Sequence, residues 1–253
     1  MNQSKSVSLV IIDTDGIELA RRAVERSTSL FSFEDVLIFS DQPKKWGNFP
    51  IIEIKKITSL SEYNRAIFEE LPQRLNTDFA LIIQFDGFVL NPSSFTNFFY
   101  EFDYIGAPWP TGLNHGQRPI VGNGGFSLRS KRLIQALANY RASIIVNVPE
   151  DLTICKYLRP MLEDRNNICF APVEVARYFS VEFEKVKQPI PFGFHGLHHL
   201  PEAYKDDYKF LIDNLPDRCF QRGSYQLNNL KIGFSRLGAE AQQLFLDKSS
   251  KFN

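Results

Sequence analysis

Phe79-Ala80-Leu81-Ile82-Ile83-Gln84-Phe85-Asp86-Gly87 is the stretch on which the fold turns. Residues 79–85 form the most hydrophobic run of the chain, and the run stops at an acidic residue followed by glycine. A short continuous apolar segment closed by such a turn predicts a strand buried on both faces, as in a parallel sheet covered by helices.

The segments before it repeat the same alternation. Residues 6–13 are a second apolar run, ending in Ile12-Asp13-Thr14-Asp15. Leu19, Ala23, Val24 and Leu30 then recur at helical spacing, with Arg21, Arg22, Glu25 and Arg26 on the other face. Strands are expected over 36–39, ending at Ser40-Asp41, and over 51–54, with the turn-rich Gln42-Pro43 and Gly47-Asn48 between them. Ser59-Leu60-Ser61-Glu62 has the form of a capping box, and Leu60, Tyr63, Ile67 and Leu71 step along one helical stripe. This order predicts an α/β fold with a Rossmann-like, mostly parallel central sheet flanked by helices. Ligands of such sheets lie at the C-terminal ends of the strands, where Asp13, Thr14, Asp15, Asp41 and Asp86 fall.

Past residue 90 the alternation ends. Phe95, Phe98, Phe99 and Phe102 have the spacing of one helix face, and Gly, Pro and aromatic residues crowd between Gly106 and Phe126. An amphipathic helix is expected over 130–140 and another over 152–158. From 201 to 253 the pattern is mainly helical, with Leu200, Tyr204, Tyr208 and Leu211 as a stripe that could dock on the preceding 200 residues.

Composition excludes several classes. Hydrophobic residues at 43% and charged residues at 23% describe a folded globular chain. Twenty-nine basic residues balance 29 acidic ones, so no net field draws the chain to nucleic acid. No apolar stretch approaches the roughly 20 residues that span a bilayer, and the N-terminal run has no cleavage site, so a cytoplasmic location is expected. Cys155, Cys169 and Cys219 show neither a disulfide framework nor zinc spacing.

Four places hold residues suited to chemistry. Asp86 ends a buried strand, where a carboxylate calls for a compensating charge such as a divalent cation, or simply caps the next turn. Three of the four histidines lie in 191-PFGFHGLHH-199, and His195, between aromatic and glycine residues, is the candidate metal ligand. Gly122-Asn123-Gly124-Gly125-Phe126-Ser127-Leu128-Arg129 is a glycine loop that either lets a polar ligand approach the backbone or only reverses the chain. Glu150 and Asp151 precede a helix, as ordinary N-terminal carboxylates or as a general base.

Taken in order, 81-LIIQFD-86, 103-DYIGAPW-109, 122-GNGGFSLR-129, Glu150-Asp151 and 191-PFGFHG-196 resemble a glycosyltransferase-like family of unknown function placed with GT-A enzymes. The likeness runs from about residue 6 to 200, which would make 1–200 the GT-A-like domain and 201–253 a helical extension packed on it. It implies that Asp86 matches the last Asp of the D-x-D motif, with Gln84 in place of the first, and that His195 is the distant histidine; together they would hold Mn²⁺ or Mg²⁺. It implies catalysis by Asp151 and Glu150, with Asp151 as base. Gly124 and Gly125 would line the donor sugar and acceptor, and Trp109 would stack on a sugar ring. Asp13, Thr14, Asp15, Asp41, Asn64, Gln84 and Asn123 complete the donor- and acceptor-binding candidates. The implied activity is metal-assisted, inverting transfer of a sugar from a nucleotide-sugar donor, UDP-linked by preference, to a glycan or other hydroxyl, as in polysaccharide biosynthesis. Two rivals remain: a nucleotide-sugar- or glycan-binding protein without turnover, and a metal-dependent hydrolase or nucleotidyltransferase.

Overall fold

A computed structural model describes residues 5–42, 45–110 and 120–252. Pro43 of the expected turn and residues 111–119 of the glycine- and aromatic-rich cluster lie outside them.

The expected α/β class is the one the chain adopts. β1 (Val7–Ile12), α1 (Ile17–Leu30), β2 (Asp35–Ser40), β3 (Ile51–Glu53) and β4 (Phe79–Ile83) follow the predicted order. Between β3 and β4, α2 (Leu60–Arg65) passes through a π turn (Ala66–Glu70) into α3 (Leu71–Arg74), and Ser59 caps its start by accepting from Glu62 N. β5 (Tyr104–Ile105), β6 (Ala107–Trp109), β7 (Ile120–Gly122) and β8 (Phe126–Ser130) precede α4 (Lys131–Ala138), which Ser130 caps.

The six-stranded sheet runs β3-β2-β1-β4-β8-β5. β3, β2, β1 and β4 are parallel, whereas β8 runs antiparallel to both β4 and β5. Every residue of β1 and β4 is buried, as the apolar runs predict. Because β2 and β4 lie on opposite sides of β1, the winding reverses between β1 and β4, and a crevice opens beyond their C-terminal ends.

Beyond α4, α5 (Glu150–Leu152), a π turn (Thr153–Leu158) and α6 (Arg159–Asn166) follow one another, a longer helical stretch than the 152–158 expected. α7 (Val173–Phe179) leads into β9 (Ser180–Val181), which pairs with β10 (Gly193–Phe194). The C-terminal helices are α8 (Leu200–Ala203), α9 (Tyr208–Asn214), α10 (Tyr225–Phe234) and α11 (Ala239–Ser250). Their Leu211, Leu230, Phe234 and Phe245 join one continuous buried cluster with the sheet.

Two expected helical stripes take other forms. The Phe95–Phe102 region is a pair of 3₁₀ turns, Pro92–Ser94 and Asn97–Glu101, because Asn91 and Thr96 accept from the backbone N–H two residues on and end any longer helix. Phe98 is exposed, while Phe95 packs edge-on against Phe99 and Phe192. Leu200 lies in α8, Tyr204 in the turn that closes it, and Tyr208 and Leu211 in α9, so the stripe is not one helix. The break is held by Arg26, which donates to Ala203 O at 2.9 Å and stacks 3.9 Å from the centre of the Tyr204 ring.

One buried ion pair ties the sheet to the helices beside the crevice. Arg129 on β8 has no exposed surface; its Nη1 and Nη2 donate to the two oxygens of Glu150 at 2.9 and 2.8 Å, and its Nε donates to Ser127 Oγ at 3.0 Å. Removing one partner strands the other charge in the interior, which costs about 3–5 kcal/mol. Glu150→Ala is therefore expected to lower the unfolding free energy by about that amount in urea titration; a loss below about 1 kcal/mol would show that the pair is dispensable.

Candidate functional site

The crevice has a volume of about 1020 Å³ and lies across the ends of β1 and β4. Asp13, Thr14 and Asp15 extend β1 into it, Gln84 extends β4, and Tyr63 and Asn64 come from α2. Gly124 and Gly125 precede β8, Asp151 lies at the start of α5, and His195 follows β10. Asp86 lies deeper, lining a smaller cavity that continues from the crevice.

The loop 122–125 is shaped by Asn123. Its backbone is left-handed, with φ 79°, and its Oδ1 accepts from Gly125 N at 3.0 Å and Phe126 N at 3.2 Å. The two glycines after it are required by contact. A Cβ on Gly124 would fall 2.2 Å from Glu150 Oε1 and 3.3 Å from Asp151 Cβ, and one on Gly125 would fall 2.2 Å from the His195 ring. One backbone step thus separates the carboxylates of α5 from the imidazole after β10.

His195 is held at both nitrogens. Nδ1 lies 3.2 Å from Glu182 Oε1, and Nε2 lies 3.5 Å from Asp86 Oδ1. Burial alone would lower the His195 pKa, but Asp86 and then Glu182 outweigh it and hold the ring well above the ordinary histidine range. Burial opposes ionisation of Asp86, and the facing His195 overcomes it and keeps the carboxyl below its usual value. An oxygen and a nitrogen donor facing each other, with a carboxylate fixing the far ring nitrogen, suit a divalent cation that takes its remaining ligands from a substrate. Among the described residues no group of three or more His, Cys, Asp or Glu side chains forms a closed metal site.

Asp151 has the opposite character. Burial, then Glu150 and Glu182, push its pKa up to about 7, against the N–H groups of Gly124 and Leu152, which donate to its two oxygens at 2.8 and 2.7 Å. Asp13 is raised to about 6 by burial, although it accepts from Asp15 N and Gly16 N.

The other expected site residues divide. Thr14 accepts from Ile57 N at 3.0 Å, and Gln84 donates to the Tyr63 hydroxyl at 2.9 Å. Asn64 donates to Val148 O at 2.8 Å, and its buried Oδ1 has no partner. One expectation needs correction. Asp41, at the end of β2, does not line the crevice, because the winding reversal lies on the other side of β1. Trp109 lines the crevice but is only 3% exposed; it packs on Gly122 and donates to Glu182 Oε2 at 2.8 Å. Glu150 lines the crevice, and each of its oxygens accepts from Arg129.

Glu182, Tyr63, Phe183, Arg218, Tyr225 and Gln226 also line the crevice and were not expected from the sequence. Only Arg129, the brace behind it, left a signal: an arginine next to Leu128 inside a strand calls for a carboxylate partner if it is buried.

A family model described as "Protein of unknown function (DUF5672)" matches residues 48–195. The chain belongs to this family. The DUF5672 segment starts after β2, ends at His195, and contains Asp86, both glycines, Asp151 and Glu182; Asp13, Asp15, Arg218 and Tyr225 come from outside it. No curated protein matches the sequence. Solved structures that resemble this DUF5672 chain include a glycosyltransferase involved in glycosylation of the major capsid of PBCV-1, at 13% identity and TM-score 0.48, over 75% of this chain and 92% of that one. The apo-form glycosyltransferase GlyE of Streptococcus pneumoniae TIGR4 has 14% identity and TM-score 0.45, over 98% and 64% of the two chains. Glucosyl-3-phosphoglycerate synthase from Mycobacterium tuberculosis, in complex with Mn²⁺ and UDP-glucose, has 9% identity and TM-score 0.37, over 51% and 57%. At these scores the likenesses carry no argument about activity.

The Asp151 shift has a measurable sign. Its carboxyl titrates near the ordinary 3.8 in the unfolded chain and near 7 in the native one, so the native state holds an extra proton between those values. This contribution to stability is present at low pH and is lost as pH rises toward 7. Relative to the wild type, Asp151→Asn should therefore gain stability steadily from about pH 4 to pH 7 and no further above it, in paired urea titrations. A difference that stays flat across that range would contradict the shift.

Proposed function

We propose that this chain is an inverting glycosyltransferase that moves a sugar from a nucleotide-sugar donor, UDP-linked by preference, to a hydroxyl of a glycan or other acceptor. The observation that carries the reading is the Gly124-Gly125 step, which sets a carboxylate of neutral pKa beside a facing Asp86–His195 pair in a crevice at the strand ends. A displacement at an anomeric carbon needs those two elements: a base for the attacking hydroxyl, and charge compensation for the departing diphosphate.

Asp151 takes the proton of the acceptor hydroxyl, whose oxygen bonds to the anomeric carbon as the bond from that carbon to the phosphate oxygen breaks. The nucleoside diphosphate leaves with the electron pair. The Gly124 and Leu152 N–H groups keep the Asp151 carboxylate oriented, and Arg129, by holding Glu150, fixes the helix start that carries it. A divalent cation held by Asp86 and by His195 Nε2, Mn²⁺ or Mg²⁺, would supply the compensation for the diphosphate charge. Glu182 orients His195 for that purpose. A domain limit near residue 200 and a cytoplasmic site of action belong to the same reading; among the described residues no helix is long and apolar enough to cross a membrane.

One observation favours a second reading. Gln84 is neutral and tied to Tyr63, so the site has a single carboxylate where two are usual in the resembled motif, as a binding protein without turnover would have.

A panel of UDP-, GDP-, CMP- and dTDP-sugars with Mn²⁺ or EDTA separates the two. Metal-dependent release of nucleotide from one donor, lost in Asp86→Ala and His195→Ala, is expected. Tight donor binding without release, even with acceptors supplied, would favour the second reading, and no binding at all would remove both. With an acceptor identified, Asp151→Asn should lower kcat by about 10²- to 10⁴-fold. The wild-type rate should rise with pH through about 7, where Asp151 becomes ionised. A retained anomeric configuration would take Asp151 out of the base role.

A further inference from the structure

Behind Asp86 and His195 the crevice narrows into a cavity of about 190 Å³. The opposite wall comes from beyond the DUF5672 segment: Arg218 from a 3₁₀ turn, Asp217–Phe220, and Tyr225, Gln226 and Asn229 from the first turns of α10. His198 also lines it. That side chain is buried beside Asn229, which interacts with it.

Arg218 lines both the crevice and this inner cavity. Its Nε lies 2.9 Å from Asp15 Oδ2, and its guanidinium carbon lies 5.8 Å from the centre of the Phe85 ring. Asp15 pairs with the half-exposed guanidinium on its Nε side, while the two Nη groups have no hydrogen-bond acceptor among the described residues. Lys56 and Arg218 are the lysine and arginine that line the crevice, and only Arg218 reaches the inner cavity. A planar pair of free N–H groups beside a cavity that already holds Asp86 and His195 matches the oxygens of a phosphate.

We propose that the inner cavity seats the distal phosphate of a nucleoside diphosphate and that Arg218 binds it, so that the C-terminal helices finish a site the family segment leaves open on one side. The assignment rests on the nucleotide-sugar reading above and adds to it the group that grips the leaving phosphate. Gln226, Asn229 and His198 supply the remaining polar wall.

The test is calorimetry on the full chain with Mn²⁺, titrating uridine, UMP and UDP, and the guanosine series beside them. Arg218→Gln, Arg218→Lys and the exposed control Arg222→Gln are compared with the wild type, with thermal melting to confirm folding. The wild type should bind the diphosphate more tightly than the monophosphate. Arg218→Gln should lose about 10- to 100-fold for the diphosphate alone, Arg218→Lys should recover part of it, and Arg222→Gln should match the wild type. Diphosphate binding by Arg218→Gln equal to the wild type would overturn the assignment and leave the transferase reading standing. An equal loss for nucleoside, mono- and diphosphate would overturn it as well, since that is the mark of a general disturbance. A wild type that binds neither series would overturn the nucleotide reading and this assignment with it.

Discussion

The Arg129–Glu150 pair is the constraint on which the crevice depends. A fully buried guanidinium is tolerated only if its donors are matched, and here two go to one carboxylate and a third to Ser127. Satisfying Arg129 fixes where Glu150 sits, and Glu150 fixes the start of α5. Asp151 is the next residue, so its place follows from the electrostatics of its neighbour. The same carboxylate explains why residue 124 has no side chain, since any Cβ there would collide with it.

The site is also built from unlike charges kept apart. On one side of the glycine step, carboxylates crowd together and the least well paired of them, Asp151, holds its proton to near neutrality. On the other side, His195 stands between Asp86 and Glu182, and the facing His195 and Asp86 shift each other toward their charged forms. Both groups lie in the same buried environment, and the number of opposite charges within reach is what separates them.

The first ninety residues were legible because their signals are local: apolar runs, a capping box, and turns after each strand. The α/β class, the strand order along the chain and the burial of β1 and β4 follow from these. Failures came where side chains bond to their own backbone, as at Asn91 and Thr96, or where a distant residue decides, as Arg26 does at Ala203. In the site, the residues carried by short motifs, namely Asp86, Gly124, Gly125, Asp151 and His195, were visible in sequence and are brought together by the fold. Asp41 looked equivalent to Asp13, since both end strands, and only the winding of the sheet distinguishes them. Glu182 and Arg218 had no local mark, because their meaning lies wholly in what they face.

The two π turns, Ala66–Glu70 and Thr153–Leu158, lie just after the helix starts that supply Tyr63, Asn64 and Asp151. A π turn holds one residue more than an α turn, and one residue is about 100° of helix rotation. Each helix therefore carries a built-in phase shift between its body and the start that faces the crevice. Losing a single residue there would leave the body seated as before and swing the start to a different bearing. The set of side chains that faces the crevice can therefore change by insertion and deletion in helices, without any replacement of those side chains.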